Sequence, residues 1–149
     1  MPRPYALPPV YFLAAIILMA LLDRVLPMWR WHWAPGRWLG AALVVAGLAL
    51  TIASARLFRH RKTAIKPFAQ SSVLVVEGPY RASRNPMYVG LCTVLAGIGL
   101  LLESFAPLVV IPIFVWIIRT RFVAAEEQML EQQFGSAYAA YRARVRRWL

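Results

Sequence analysis

The sequence predicts an all-α integral membrane protein with about four transmembrane helices, the last two a short hairpin, followed by a C-terminal interfacial helical segment. Three observations carry this expectation. Of 149 residues, 60% are hydrophobic and 15% charged, with a mean hydropathy of +0.57; soluble domains carry roughly 25% charged residues. The apolar residues gather in four runs, the first two close to the roughly 20 residues that span a bilayer as a helix. Lysine and arginine mostly flank those runs, with Arg24 and Arg56 near the ends of the first two. The length suits one membrane domain, 1–149, divided into two N-terminal spans (1–58) and a core that carries the candidate chemistry (59–149).

The first span is expected over residues 9–26. Its apolar stretch ends in Asp23-Arg24 without a small-residue cleavage site, so it reads as a retained span rather than a signal peptide. The second runs over 38–58. The third and fourth, 86–102 and 105–118, are shorter and separated only by Glu103-Ser104, a link that requires antiparallel neighbours. Pro107 falls in the first turn of the fourth span, where a missing N–H is harmless, whereas Pro112 lies inside and is expected to kink it. Residues 119–134 read as a helix leaving the membrane, closed by Gly135 in the C′ role. Ser136 can cap a second short helix over 137–145, whose arginines, with Trp148 beyond it, suit an interface.

Charge placement orients these elements. Arg59, Arg61, Lys62, Lys66, Arg81 and Arg84 lie between spans two and three, and Arg119, Arg121, Arg142, Arg144, Arg146 and Arg147 follow span four. The link between spans one and two holds only Arg30 and Arg37, with Arg24 at its edge. Both basic groups belong on the cytoplasmic side, which puts both termini there, in agreement with Arg3. Trp29, Trp31, Trp33 and Trp38 supply the aromatic belt of the opposite interface.

A net charge of +11 in blocks beside apolar runs points to anionic lipid at the cytoplasmic face and not to nucleic acid. A single cysteine, Cys92, excludes an internal disulfide, and His32 and His60 are too far apart in sequence to form a metal-ligand pair, so no metal site is expected.

The polar residues that could carry chemistry cluster. Gly78-Pro79-Tyr80-Arg81-Ala82-Ser83-Arg84-Asn85-Pro86-Met87-Tyr88 opens with a turn signal and places Pro86 at an N1-like position of span three. Free N–H groups at that helix start favour an anion. Arg81 and Arg84 offer forks for carboxylate or phosphate; Asn85 offers donor and acceptor, and Tyr80 and Tyr88 offer rings and hydroxyls. The other reading is a positive-inside loop and an ordinary helix start. Gly97 and Gly99 either allow close helix packing or let a ligand approach the backbone. Glu126 and Glu127 point about 100° apart on a helix, so one can enter a pocket while the other meets arginines; plain charge balance is the alternative. Glu131 reads as part of a solvated face.

Taken in order, Gly78-Pro-Tyr-Arg-x-x-Arg-Asn-Pro-x-Tyr88, Glu126-Glu127-x-x-Leu130 and Phe134-Gly-x-x-Tyr138-x-x-Tyr141-x-x-Arg144-Val145 resemble the isoprenylcysteine carboxyl methyltransferase family and the related phospholipid N-methyltransferases. The resemblance covers about residues 63–149, and the first two spans carry little of it. It implies an integral membrane enzyme that uses S-adenosyl-L-methionine, enclosed by the last two spans, the loop before them and the C-terminal segment, and that methylates a lipophilic, membrane-partitioned acceptor. In the phospholipid branch a GxG and a paired glutamate are cofactor motifs, matching Gly97, Gly99, Glu126 and Glu127. The resemblance adds Arg81, Arg84, Asn85, Pro86 and Tyr88 to the expected cofactor site. In the isoprenylcysteine branch the positions of Tyr141 and Arg144 lie near the reacting groups. Two departures stand out: Asn85 replaces a histidine common in relatives, and Arg146 replaces the usual proline after Arg-Val. Either glutamate is expected to serve the cofactor's ammonium or ribose, either Arg81 or Arg84 its carboxylate, and Tyr141 and Arg144 the acceptor. An ionised carboxylate or thiolate acceptor would need no base, whereas an amine would have to lose a proton and no histidine is placed to take it. This favours an isoprenylcysteine-type carboxylate over the alternatives, a phospholipid amine or a thiol.

Overall fold

The computed structural model of the chain describes residues 7–26, 30–60 and 73–149. Arg3, Trp29, Arg61, Lys62 and Lys66, and the opening of the family resemblance at residue 63, lie outside these. Five α-helices follow in order: α1 (Pro8–Val25), α2 (Ala34–His60), α3 (Pro86–Leu102), α4 (Val110–Ile118) and α5 (Ala124–Arg144). Among the described residues, three runs are long and apolar enough to cross a membrane: α1, α2 and the 39-residue stretch Ala106–Arg144. Helix α3 is apolar but has 17 residues.

α1 and α3 begin where proline makes helix starts inexpensive, with Pro8 and Pro86 at the first helical position. The longest contact is between α2 and α3, and glycine makes it possible. A Cβ at Gly97 would lie 2.6 Å from the Gly40 carbonyl oxygen, and one at Gly40 would lie 2.8 Å from that of Gly97. One level along, Gly47 and Gly90 face each other in the same way. Backbones approach closely here, as membrane helices do where small residues line a seam. α1 lies across α4 and α3, with Tyr11 edge-on to Phe122 (5.6 Å between rings) and Phe12 edge-on to Phe114 (6.2 Å). Met19, Leu95, Phe114, Ile118, Phe122 and Val123 form the centre of the apolar core.

The link after α3 is the expected tight reversal, but α4 does not start at once. Ala106–Val109 winds as a 3-10 turn with Pro107 near its start, and α4 follows. Pro112 is therefore the third residue of α4 rather than an interior breaker. In the first turn its absent N–H leaves no hydrogen bond broken, and the local change in winding is the 3-10 turn itself. Nor does span four stop at Ile118. It continues through a π turn, Arg119–Val123, into α5, so the membrane helix and the helix that leaves it are one run. Gly135 breaks α5 with φ 48° and ψ −119°, at the predicted junction between two helical pieces and in a region open almost solely to glycine.

The bundle has two polar ends. At one, Arg37 donates a two-pronged hydrogen bond to Glu103 (2.9 and 3.0 Å), Arg30 bonds Asp23 (3.0 Å), the Trp31 N–H donates to the Glu103 carbonyl (3.1 Å), and Trp31 stacks edge-on with Phe105. These contacts tie the α1–α2 connection to the α3–α4 reversal, where Glu103 takes a left-handed conformation (φ 51°). Trp33 and Trp38 stand exposed beside this end. The other end gathers the last turn of α2, the start of α3, the close of α4 and all of α5.

Candidate functional site

The second polar end is built on the loop before α3. Gly78 adopts φ +56°, which glycine takes without strain, and lets Gly78–Arg81 wind into a 3-10 turn. The turn closes through the N–H groups of Ala82 and Ser83, both donating to the Pro79 carbonyl (3.1 and 3.2 Å). Tyr80 is thereby driven inward against Phe58 at the end of α2, with rings 5.4 Å apart. Burial, and then the Glu126 charge, push its hydroxyl well above the usual tyrosine range. Tyr141 on α5 donates to the Tyr80 carbonyl (2.7 Å) and clamps the loop from the far side.

Ser83, Arg84 and Asn85 then run into α3. The Ser83 hydroxyl accepts the Asn85 N–H (3.1 Å). Asn85 occupies the N-cap position, yet its side chain makes no cap bond to α3; its amide donates instead to the Arg147 carbonyl (3.0 Å). Pro86 is buried as the first residue of α3, and two residues on Tyr88 donates to Glu126 Oε1 (2.9 Å).

The π turn sets what α5 presents. Extra residues in the turn re-aim the chain beyond it, a device common at functional sites. Phe122 and Val123 are fully buried within it, and Glu126 and Glu127 follow. As their helical angle requires, the two carboxylates part company. Glu126 goes to Tyr88. Glu127, 8% exposed, sits between two guanidiniums: Arg84 Nη2 at 3.0 Å, and Arg147, whose Nε and Nη2 reach it at 3.1 and 2.6 Å. The Glu127 carboxylate holds the Arg147 guanidinium above the usual arginine range.

This leaves a charge-balanced cluster with open valences. Arg84 Nε and Nη1 and the Tyr138 hydroxyl are buried and have no hydrogen-bond partner among the described residues. Unsatisfied polar atoms of this kind are rare, and each calls for an explanation such as a ligand or water. Among the described residues, Glu126 has Tyr88 and no cation for company. One edge of a guanidinium with a hydroxyl suits a carboxylate; an unpaired carboxylate suits an ammonium or hydroxyls.

The structure thus brings together Arg84, Asn85, Pro86, Tyr88, Glu126, Glu127 and Tyr141, and leaves four expected residues apart. Arg81 is exposed at the end of the 3-10 turn. Arg144 is exposed, its Nε donating back to the Ala140 carbonyl (3.2 Å). Gly97 packs on Gly40 of α2 and Gly99 on Leu108 and Met19. At about 1.5 Å rise per residue they also lie roughly 16–20 Å up the helix from Pro86, so of the two readings of this GxG, the structure supports helix packing. Arg147, Tyr138 and Ser83 enter the cluster without having been singled out for it. Arg147 lies beyond the interfacial helix expected over 137–145, and here α5 ends at Arg144 and Val145 is extended (φ −121°, ψ 131°). Its partner lies 20 residues back, beyond the reach of any local pattern. Among the described residues no group of three or more His, Cys, Asp or Glu is placed to hold a metal ion.

Fold and site together define a helical membrane protein with a buried, charge-balanced polar cluster at one end of its bundle. The phospholipid methyltransferase family model matches residues 35–137, more than half of the chain, and the chain belongs to that family. The match begins in α2, so the second span carries more family signal than its sequence suggested, and it stops before Tyr138. An uncharacterized protein of Haemophilus influenzae is 36% identical over 63 residues, 42% of this chain and all of that protein. The eukaryotic intramembrane Ras methyltransferase ICMT (isoprenylcysteine carboxyl methyltransferase) shares the fold, with a TM-score of 0.65 at 20% identity. That likeness covers 91% of this chain and 49% of the methyltransferase, so the chain spans about half its length.

Proposed function

We propose that the protein transfers a methyl group from S-adenosyl-L-methionine to a lipophilic acceptor at the membrane surface. The observation that carries this reading is that, among the described residues, the buried Arg84 Nε and Nη1 and the Tyr138 hydroxyl have no hydrogen-bond partner, in a cluster whose Glu126 meets the Tyr88 hydroxyl and no cation. The amino-acid part of the cofactor is a zwitterion. Its carboxylate matches Arg84 Nε and Nη1 with Tyr138, and its ammonium or ribose hydroxyls match Glu126 or Glu127. Asn85, whose amide now bonds a main-chain carbonyl, is a further donor for the adenosine part. When bound, the cofactor supplies an already activated methyl sulfonium, so the protein's task is positioning and electrostatics. Tyr141 contributes by fixing the loop through Tyr80, and Arg144 is left to orient an acceptor from the rim. Gly97, Gly99 and Arg81 have no part in this assignment.

Glu126 bears on the acceptor. A half-buried carboxylate that meets no cation among the described residues repels an anionic acceptor and attracts an amine, whose proton it can take. Together with the family match, this favours an aminophospholipid over an isoprenylcysteine carboxylate. We further propose that the pocket end and both termini face the cytoplasm, where basic residues such as Arg59, Arg81, Arg119 and Arg121 meet anionic lipid.

Calorimetric titration of the detergent-solubilised protein with S-adenosylhomocysteine tests the reading. Saturable one-to-one binding is expected. A folded sample that binds none would favour a non-catalytic, lipid-binding membrane protein or a different cofactor. Methyl transfer to phosphatidylethanolamine vesicles, compared with a prenylcysteine analogue, then decides the acceptor.

A further inference from the structure

We propose that residues 145–149 form a strap that must lift to admit ligand to the Arg84 pocket, with Arg147 as the positioning residue that latches it. The proposal rests on the reading of that pocket as the cofactor site. The groups left for a ligand, Arg84 Nε and Nη1 and the Tyr138 hydroxyl, are buried. Nothing reaches them unless some part of the wall moves.

The strap is the part least able to resist. Val145 leaves α5 in an extended conformation, tied to it by one hydrogen bond from its N–H to the Tyr141 carbonyl (3.0 Å). Beyond that point, the hydrogen bonds of Arg146 and Arg147 among the described residues all end on the pocket. The Arg84 N–H donates to the Arg146 carbonyl (2.9 Å), and Ser83 Oγ and Asn85 Nδ2 donate to the Arg147 carbonyl (3.3 and 3.0 Å). The Arg147 guanidinium grips Glu127, and Trp148 rests partly buried on the apolar core. Of the two arginines on Glu127, the Arg84 side chain is 9% exposed and that of Arg147 is 37% exposed. Water therefore competes for the Arg147 contact and hardly for the other.

The closed strap also engages groups a ligand would want: the Ser83 hydroxyl, the Asn85 amide and Glu127. Lifting it frees all three at once. Filling the pocket and moving the strap are thereby linked, and each must shift the other's equilibrium.

The test is the rate of S-adenosylhomocysteine binding to the full chain by stopped flow, with amide hydrogen exchange of residues 145–149 as an activity-independent readout. Breaking a charge-assisted pair weakens a closed state by about tenfold or more. Arg147→Ala is therefore expected to speed association and tighten Kd by about that factor, with dissociation changed much less, and to hasten exchange across the strap before ligand is added. Arg147→Lys should restore part of the latch. Trp148→Ala, which leaves Glu127 untouched, should reproduce the effect more weakly and serves if Arg147→Ala misfolds. Wild-type binding with association rates unmoved in these variants overturns the strap and leaves the cofactor reading standing. An absence of wild-type binding overturns both.

Discussion

Arg84 divides its guanidinium between two duties. Nη2 neutralises Glu127, while Nε and Nη1 remain buried and, among the described residues, without a partner. A lysine at this position keeps the charge that Glu127 requires but loses the planar fork. Arg84→Lys is therefore expected to fold and to bind S-adenosylhomocysteine about 10- to 100-fold more weakly, the value of a charged hydrogen bond of roughly 1.5–3 kcal/mol, read by calorimetry. At Tyr88 the balance differs, because its hydroxyl is the donor that Glu126 has among the described residues. Tyr88→Phe removes a part-buried hydrogen bond and should lower stability by about 0.5–1.5 kcal/mol, seen as a fall in Tm in detergent. In a Glu126→Gln background the same change should cost less, since an uncharged amide needs the donor less.

At the scale of elements, two kinds of glycine do different work, and substitution separates them. Gly97 on α3 sits against the Gly40 carbonyl, backbone on backbone, where neither helix can give way without parting. Gly97→Ala should destabilise by about 1–3 kcal/mol through overpacking and loosen the α2–α3 seam. Gly135 has nothing within 4 Å of where a Cβ would sit, yet its φ is +48°. Gly135→Ala should also destabilise by about 1–3 kcal/mol, here from backbone strain alone. Hydrogen exchange tells the two apart: the first speeds exchange along α2 and α3, the second in α5 beyond the break. That seam explains why the GxG, read from sequence, had two meanings. The spacing is compatible with both packing and ligand approach, and only the neighbour across the gap distinguishes them.

The whole molecule is a bundle held by a polar knot at each end. At the end away from the pocket, the Arg37 guanidinium, hydrogen-bonded to Glu103, holds that carboxyl below the usual glutamate range. A carboxylate depressed in the folded state stabilises it above the ordinary glutamate pKa, and that contribution fades as pH falls through the lowered value. Acidification below about pH 4 should thus lower Tm in the wild type more steeply than in Arg37→Ala, which lacks the linkage, as thermal melts across pH would show. The knot joins the α1–α2 connection to the α3–α4 reversal, so its loss should free both together. Cysteine accessibility in sealed vesicles checks the proposed orientation. A cysteine at Arg81 should react from the cytoplasmic face and one at Trp38 from the opposite face.

The sequence by itself determined the all-helical membrane class, because apolar runs that long have few other ways to satisfy their backbone in lipid. It also determined the start of α3 at Pro86, the break at Gly135 and the split of Glu126 from Glu127. Those features follow from local chemistry: a fixed φ, a positive φ and the 100° step of a helix. It equally pointed to the stretch from residue 78 to 88 and to the paired glutamates as the place for chemistry. Only the tertiary structure decided that Arg147 rather than Arg144 joins them, that Arg84 rather than Arg81 turns inward, and that Gly97 and Gly99 serve packing. Each of those outcomes depends on a partner far away in sequence. Arg147 meets Glu127 because the chain turns back once α5 ends, Arg84 is drawn in by the same carboxylate, and Gly97 answers to Gly40 in another helix. Local pattern carries the period of an element and the φ of a residue. Which side chains converge is set by how the elements pack.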